Sequence, residues 1–255
     1  MRIALGLEYD GSAFCGWQTQ PRGCAVQDYL ESALAIIAGR ETATICAGRT
    51  DAGVHALAQV VHFDTDAARP LTAWVRGVNS HLPKTIAVIW AVEVGADFHA
   101  RNSARERCYR YVLLNHPARP ALYDKRMGWA HQPLDLEAMQ GSAQCLIGEH
   151  DFSAFRAREC QAASPMKTLR KAEIIRHGNI FVFEFVAPSF LYHMVRNLVG
   201  SLVSVGAHRE PPGWLQQVLE SRDRTLAAPT FAPDGLYLAD VAYDAKWGLP
   251  RIPRL

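Results

Sequence analysis

The chain has 255 residues, 49% of them hydrophobic and 20% charged, with a formal net charge of +2. That length carries a large buried core in one domain or two, and the composition is that of an ordinary globular protein rather than a disordered or fibrous one. The richest apolar stretch, residues 191–205, is interrupted by His193, Arg196 and Asn197, so no membrane span is expected.

In chain order, Arg2–Tyr9 reads as a strand and Val26–Ala38 as a helix. The helix places Val26, Leu30, Leu34 and Ile37 at a 3.6-residue period before Gly39. Strands follow at 42–46 and 57–63, a helix at 71–81 ahead of Pro83, and a β-rich run at Ile86–Val94. The second half opens with a strand at 107–115 and a helix at 135–146 capped by Asp135. Strands at 171–176 and 180–186 are joined through His177, Gly178 and Asn179. A helix at 189–205, a short one at 212–220 and a last strand, Leu236–Tyr243, complete the pattern. Both halves are mixed α+β. The division expected is 1–103, 104–245 and a Pro-rich basic tail, 246–255, with little structure of its own.

The N-terminus, MRIALGLEYDG, has one basic residue and too short an apolar stretch for a secretion signal, so a cytoplasmic protein is expected. Six cysteines, at 15, 24, 46, 108, 145 and 160, form no CxxC pair and are expected to be reduced and mostly buried. The ten histidines make no HxxxH or HExxH pair, and neither GxGxxG nor GxxxxGK[ST] occurs. No metal and no cofactor are therefore expected. Charge is unevenly placed: residues 1–100 carry 7 Lys+Arg against 10 Asp+Glu, and 101–255 carry 20 against 15. The densest basic segment runs from Arg101 to Arg126 with Tyr109, Tyr111 and Tyr123 interleaved. Such a mixture suits phosphate contact with base stacking, although an arginine taken singly is more often just solvated.

The run GRTDAGVHALAQVVHF, residues 48–63, sets Asp51 between Arg49 and Gly53 ahead of a nearly continuous apolar strand. On local pattern alone, an Asp in such a turn either bonds its own backbone or stands as a reactive group on a rigid scaffold. In the strand ERCYRYVLL, alternation puts Arg107, Tyr109, Tyr111 and Leu113 on one face. In FLYHMVRNLVGSLVSV, Arg196 falls off the apolar stripe, on a flank shared with His193 and Gly200, the glycine leaving room for a neighbour.

GRTDAGVHA resembles the signature of the tRNA pseudouridine synthase A family. EYDGSAFCGWQTQP, FHARNSARERCYRYVLLNH, GEHDFSAFR and FLYHMVRNLVGSLVSVGAH resemble the same family in the same order. Departures are minor, Cys15 standing where many members carry an aromatic residue. The resemblance implies two ferredoxin-like halves sharing a continuous, mostly antiparallel sheet with a central cleft. It implies Asp51 as nucleophile, Tyr109 stacked on the target uracil, and Arg196 paired with the carboxylate, which would fix its orientation. Arg49 is implied in base flipping, and Arg101, Arg107 and His193 are further candidates for substrate contact. The substrate so implied is tRNA, at positions 38, 39 and 40 on the 3′ side of the anticodon stem-loop, and the state a homodimer. Two other classes remain open on the residues themselves: an RNA-binding protein or tRNA chaperone without catalysis, and a glycoside hydrolase pairing Asp51 with Glu8 or Asp10.

Overall fold

The computed structural model describes residues 1–251. It is mixed α+β with a large, mostly antiparallel sheet, as the sequence led one to expect. The chain forms two compact units, one of Met1–Arg107 together with the segment from Tyr237, the other of Cys108–Leu236.

In the first unit β1 (Arg2–Tyr9) is central and is followed by α1 (Val26–Ala38) and the short β2 (Ile45–Cys46). The long β3 (His55–Asp64) and β4 (Ile86–Val94) then flank β1 on either side, both antiparallel. Register is fixed by apolar pairs such as Leu5↔Val61 and Ile3↔Phe63, since a one-residue slip would turn every buried side chain outward. The β1–β4 ladder shifts register after Gly6, where the Trp90 indole lies across the position a Cβ would need. α1 buries Val26, Leu30, Ala33 and Leu34 and ends as read from the sequence, with Gly39 left-handed at φ 76°. The helix expected at 71–81 contains a π-turn, Ala73–Gly77, which carries Trp74 fully buried against Phe63, ring centroids 5.1 Å apart.

The last strand, Leu236–Tyr243, belongs largely to this unit, pairing parallel with β3 through Tyr237↔His55 and Leu238↔Ala56. The division expected from the sequence had placed it in the second half. Parallel pairing between segments so far apart leaves no local signal. Of the expected basic tail, Trp247 packs edge-on to Phe98 at 5.2 Å, and residues 252–255 lie outside the described residues.

In the second unit β5 (Ala104–Asn115, of which Cys108 onward belongs here) is joined in parallel by the short β6 (Gly128–Ala130). Asp135 caps α2 (Leu136–Ala143), accepting from the Ala138 amide at 3.0 Å. A polar hairpin of β7 (Gly148–Asp151) and β8 (Met166–Leu169), absent from the sequence reading, stands as a separate small sheet. β9 (Lys171–His177) and β10 (Ile180–Ala187) form the expected hairpin, turning at Gly178 with φ 60°. β10 puts Phe181, Phe183 and Phe185 into the core. Burying one such side chain contributes about 2–3 kcal/mol.

α3 (Met194–Gly206) is buried at every position except Arg196 and Ser204. A Cβ on Gly206 would lie 2.7 Å from the Met139 sulfur, so glycine there lets α2 approach. α4 (Trp214–Ser221) adds Leu215 and Val218 to the same core. α3 starts five residues later than its periodicity suggested. Leu191 is buried, but His193 is left-handed at φ 61° and bends the chain into the helix.

Candidate active site

Past β2, the Ala47 amide still donates to the Val60 carbonyl at 2.7 Å, and the chain then leaves the sheet for a tight turn. The Val54 amide closes that turn on the Asp51 carbonyl at 3.1 Å, and Gly53 takes φ 78°, where a side chain is disfavoured. Thr50 is buried, Asp51 half-buried and Arg49 exposed.

The DGSAFCGW segment packs against this turn by its main chain. A Cβ on Gly11 would collide with the Val54 carbonyl. One on Gly16, itself at φ 97°, would sit 2.7 Å from the Thr50 carbonyl oxygen. The Trp17 amide donates to that same oxygen at 3.0 Å, and the Gly53 amide donates to the Phe14 carbonyl at 3.3 Å. Two motifs forty residues apart in sequence are thus one peptide framework, with the carboxylate of Asp51 at its tip. Asp10 caps the adjoining 3₁₀ turn, accepting from the Ser12 amide at 3.0 Å.

Cys15 and Cys24 in this segment are disulfide-bonded, Cα–Cα 5.5 Å, and the Cys15 amide donates to the Cys24 carbonyl at 3.0 Å. This corrects the expectation that all six cysteines are thiols. The pairing depends on the chain reversing between the two cysteines, through a turn closed by the Gly23 amide on the Gln20 carbonyl at 2.9 Å, which spacing alone does not reveal. Cys46, Cys108, Cys145 and Cys160 are outside any disulfide, and burial pushes the Cys145 thiol up to about 11.

In the second unit the alternation read along β5 holds. Tyr109, Tyr111 and Leu113 are buried on one face. Tyr109 is 9% exposed and meets Phe190 edge-on, centroids 5.1 Å apart. Tyr111 is fully buried and donates its hydroxyl proton to the Ala232 carbonyl at 2.9 Å, while burial raises its pKa.

Arg196 sits in the first turn of α3. Its Nε donates to the Phe231 carbonyl at 2.9 Å, and the Phe231 amide donates back to the Arg196 carbonyl at 3.2 Å, which fixes the direction of the guanidinium. The Gly200 expectation also holds, for a Cβ there would collide with the Pro229 carbonyl, the next stretch of the same crossing segment. His193 lies against Tyr192, centroids 4.0 Å apart.

Asn197 was not singled out from the sequence. It is fully buried, donates from Nδ2 to the Phe155 carbonyl at 2.8 Å, and accepts at Oδ1 from Thr230 at 2.7 Å and from Arg224 at 3.1 Å. It therefore ties the GEHDFSAFR motif to α3. A lone amide in an otherwise apolar helix stripe is the signal that could have found it.

The basic segment divides by role. Arg101 is exposed, as are Arg119, Lys125 and Arg126. Arg107 is only 8% exposed, and its guanidinium donates to the carbonyls of Ala47 at 2.8 Å, Arg101 at 2.6 Å and Ala104 at 3.2 Å. Arg105 pairs with Asp244, and Arg110 with Glu184 at 2.6 Å. Asp51, Arg49, Arg101 and Arg107 belong to the first unit, and Tyr109, His193 and Arg196 to the second.

A carboxylate on a glycine-bounded turn, set in an α+β chain with a large antiparallel sheet, marks an RNA-modifying isomerase once the comparisons with known proteins are added. The family described as tRNA pseudouridine synthase matches residues 7–102 and 142–244, and the chain belongs to that family. The chain is 60% identical over 250 residues to a tRNA pseudouridine synthase A of Dechloromonas aromatica, spanning 98% of this chain and 95% of that one. A protein of the same name from Thiobacillus denitrificans is also 60% identical, over 98% and 96% of the two chains. One from Methylobacillus flagellatus is 56% identical over 254 residues, 100% and 97% of the two. Among solved structures, a Cbf5-Nop10-Gar1 complex is similar at a TM-score of 0.35 and 11% identity, over 79% of this chain and 45% of that one.

Proposed function

We propose that the protein converts uridine to pseudouridine at positions 38, 39 and 40 of the anticodon stem-loop of tRNA, acting in the cytoplasm as a homodimer. The observation that carries this reading is the Asp51 turn. Its main chain is fixed at Thr50, Asp51 and Gly53 by peptide hydrogen bonds, and its carboxylate stands half-buried at the tip. A preset carboxylate is what attack on a ribose anomeric carbon or on the pyrimidine ring requires.

The reaction breaks the bond from ribose C1′ to uracil N1, turns the freed base, joins C1′ to C5 and moves a proton from C5 to N1. Every bond broken is replaced within the same nucleoside, so the chemistry calls for no redox partner. In the proposed site Asp51 is the nucleophile, Tyr109 stacks on the extruded uracil, and Arg196 orients the carboxylate. Arg49, exposed on the turn, faces the RNA backbone and helps flip the base out, and Arg101 and His193 contact the substrate. Extrusion costs a few kcal/mol, which stacking and arginine contacts offset. Arg107, whose guanidinium donates to the carbonyls of Ala47, Arg101 and Ala104, serves from behind by holding Ala47 at the root of the turn.

The test is to incubate the purified protein with unmodified tRNA transcripts and map pseudouridine by carbodiimide labelling. Product at 38–40 with the native chain and none with Asp51→Ala is the expected result. Binding without product would favour an RNA-binding protein, and light scattering behind size exclusion tests the dimer.

A further inference from the structure

Gln59 is fully buried in the middle of β3, between Ala58 and Val60. An amide there is costly unless its donors and acceptor are used. The β2–β3 ladder pairs Ile45 with His62 and Cys46 with Val61, and its register continued would set Gly48 opposite Gln59. The main chain of Gln59 is on the β1 side, paired with Leu7, and it is the side chain that meets Gly48. Its Nε2 donates to the Gly48 carbonyl at 2.6 Å, and its Oε1 accepts from the Gly48 amide at 3.4 Å. Nε2 also lies 3.5 Å from the hydroxyl of Tyr9, 4% exposed, and that hydroxyl shares a 2.8 Å hydrogen bond with Oγ1 of Thr50, 6% exposed. Buried polar groups from β1 and β3 therefore hold two of the three residues that precede Asp51. A leucine would fill the apolar position equally well but would pair with neither polar group of Gly48.

We infer that Gln59 is a positioning residue for Asp51, acting through Gly48, with the Tyr9–Thr50 hydroxyl pair as a second arm on the same turn. The inference rests on the proposed activity. Gln59 touches no reacting atom; it sets where the turn leaves the sheet and hence where the carboxylate is delivered. Small displacements of that kind are expensive in rate, up to about 100-fold for roughly 1 Å.

The experiment measures single-turnover pseudouridine formation on a tRNA transcript, tRNA binding by filter retention, and thermal melting. The proteins compared are the native chain, Asp51→Ala, Gln59→Leu, Thr50→Val and Thr50→Ser. For Gln59→Leu the rate is expected to fall about 10- to 100-fold while the dissociation constant stays within about twofold. Thr50→Val, which keeps shape but loses the hydroxyl, is expected to be slower than Thr50→Ser, which keeps it. A folded Gln59→Leu protein that turns over within about threefold of the native rate would overturn the inference, as would a loss confined to binding. Should Gln59→Leu fail to fold, the Thr50 pair decides, and equal rates for valine and serine would overturn it. Failure of the underlying activity reads out separately, as no product from the native chain or undiminished product from Asp51→Ala.

Discussion

His62 shows how one buried side chain makes stability depend on pH. It lies in β3, 2% exposed, accepts from the Ala100 amide at Nδ1 over 3.1 Å, and has the Phe98 and His99 rings beside it. Burial, seconded by the Arg2 charge, lowers its pKa from 6.5 to about 4. Below pH 6.5 the unfolded chain binds a proton that the folded chain refuses, so unfolding gains ground as pH falls. The contribution of His62 is complete above about pH 6.5 and is lost as pH falls through about 4, by about 3 kcal/mol in all. Urea midpoints measured between pH 7.5 and 4 should show this slope, and His62→Asn, which keeps an acceptor for Ala100, should flatten it. At this scale the sequence was legible where a residue interrupts its surroundings. Asp51 stands out among glycines and Arg196 beside an apolar stripe. Gln59 was hidden because it sits in a run of buried residues and pattern reading counts the run. Only the demand that its amide be paired distinguishes it from its neighbours.

Among the elements, β1, α1, β4 and the last strand have the bounds that periodicity and punctuation imply, because each carries its own signal over eight or more residues. The β7–β8 hairpin was invisible: its strands are four residues each, largely polar, and far apart in sequence. The start of α3 was misplaced because burial continues through Leu191 while the helix does not. The loop between β1 and α1 adds a covalent element, the Cys15–Cys24 bridge, with sequence separation 9. Closing so short a loop stabilises by about 2–3 kcal/mol in the chain-entropy account. Oxidised protein denatured without reductant should titrate four thiols, those of Cys46, Cys108, Cys145 and Cys160, and six after reduction. Reductant should lower its melting temperature and leave a Cys15→Ser, Cys24→Ser variant unmoved.

For the whole molecule, the surplus of basic residues after position 100 suggested a polyanionic partner, yet the structure allots those residues to different tasks. Arg107 and Arg110 are at least partly buried within the fold, Arg105 is exposed but paired with Asp244, and Arg101, Arg119, Lys125 and Arg126 are exposed. Net charge is a sum over side chains that cannot distinguish these, since burial and pairing are decided by topology. Replacing Arg49 or Arg119 by alanine should weaken tRNA binding, reduce its log–log salt slope by about one, and leave melting unchanged. Arg107→Ala should instead lower the melting temperature, because it removes the buried hydrogen bond to the Ala47 carbonyl and the part-buried one to the Arg101 carbonyl.

The framework around Asp51 is made of peptide groups: Trp17 to Thr50, Gly53 to Phe14, Val54 to Asp51. Such bonds are indifferent to the identity of outward-facing neighbours, and Ala13, Gln18 and Ala52 are all exposed. Saturation mutagenesis at those three sites should therefore yield many folded variants. The rim of the turn can diversify while the main-chain geometry that carries Asp51 is inherited unchanged.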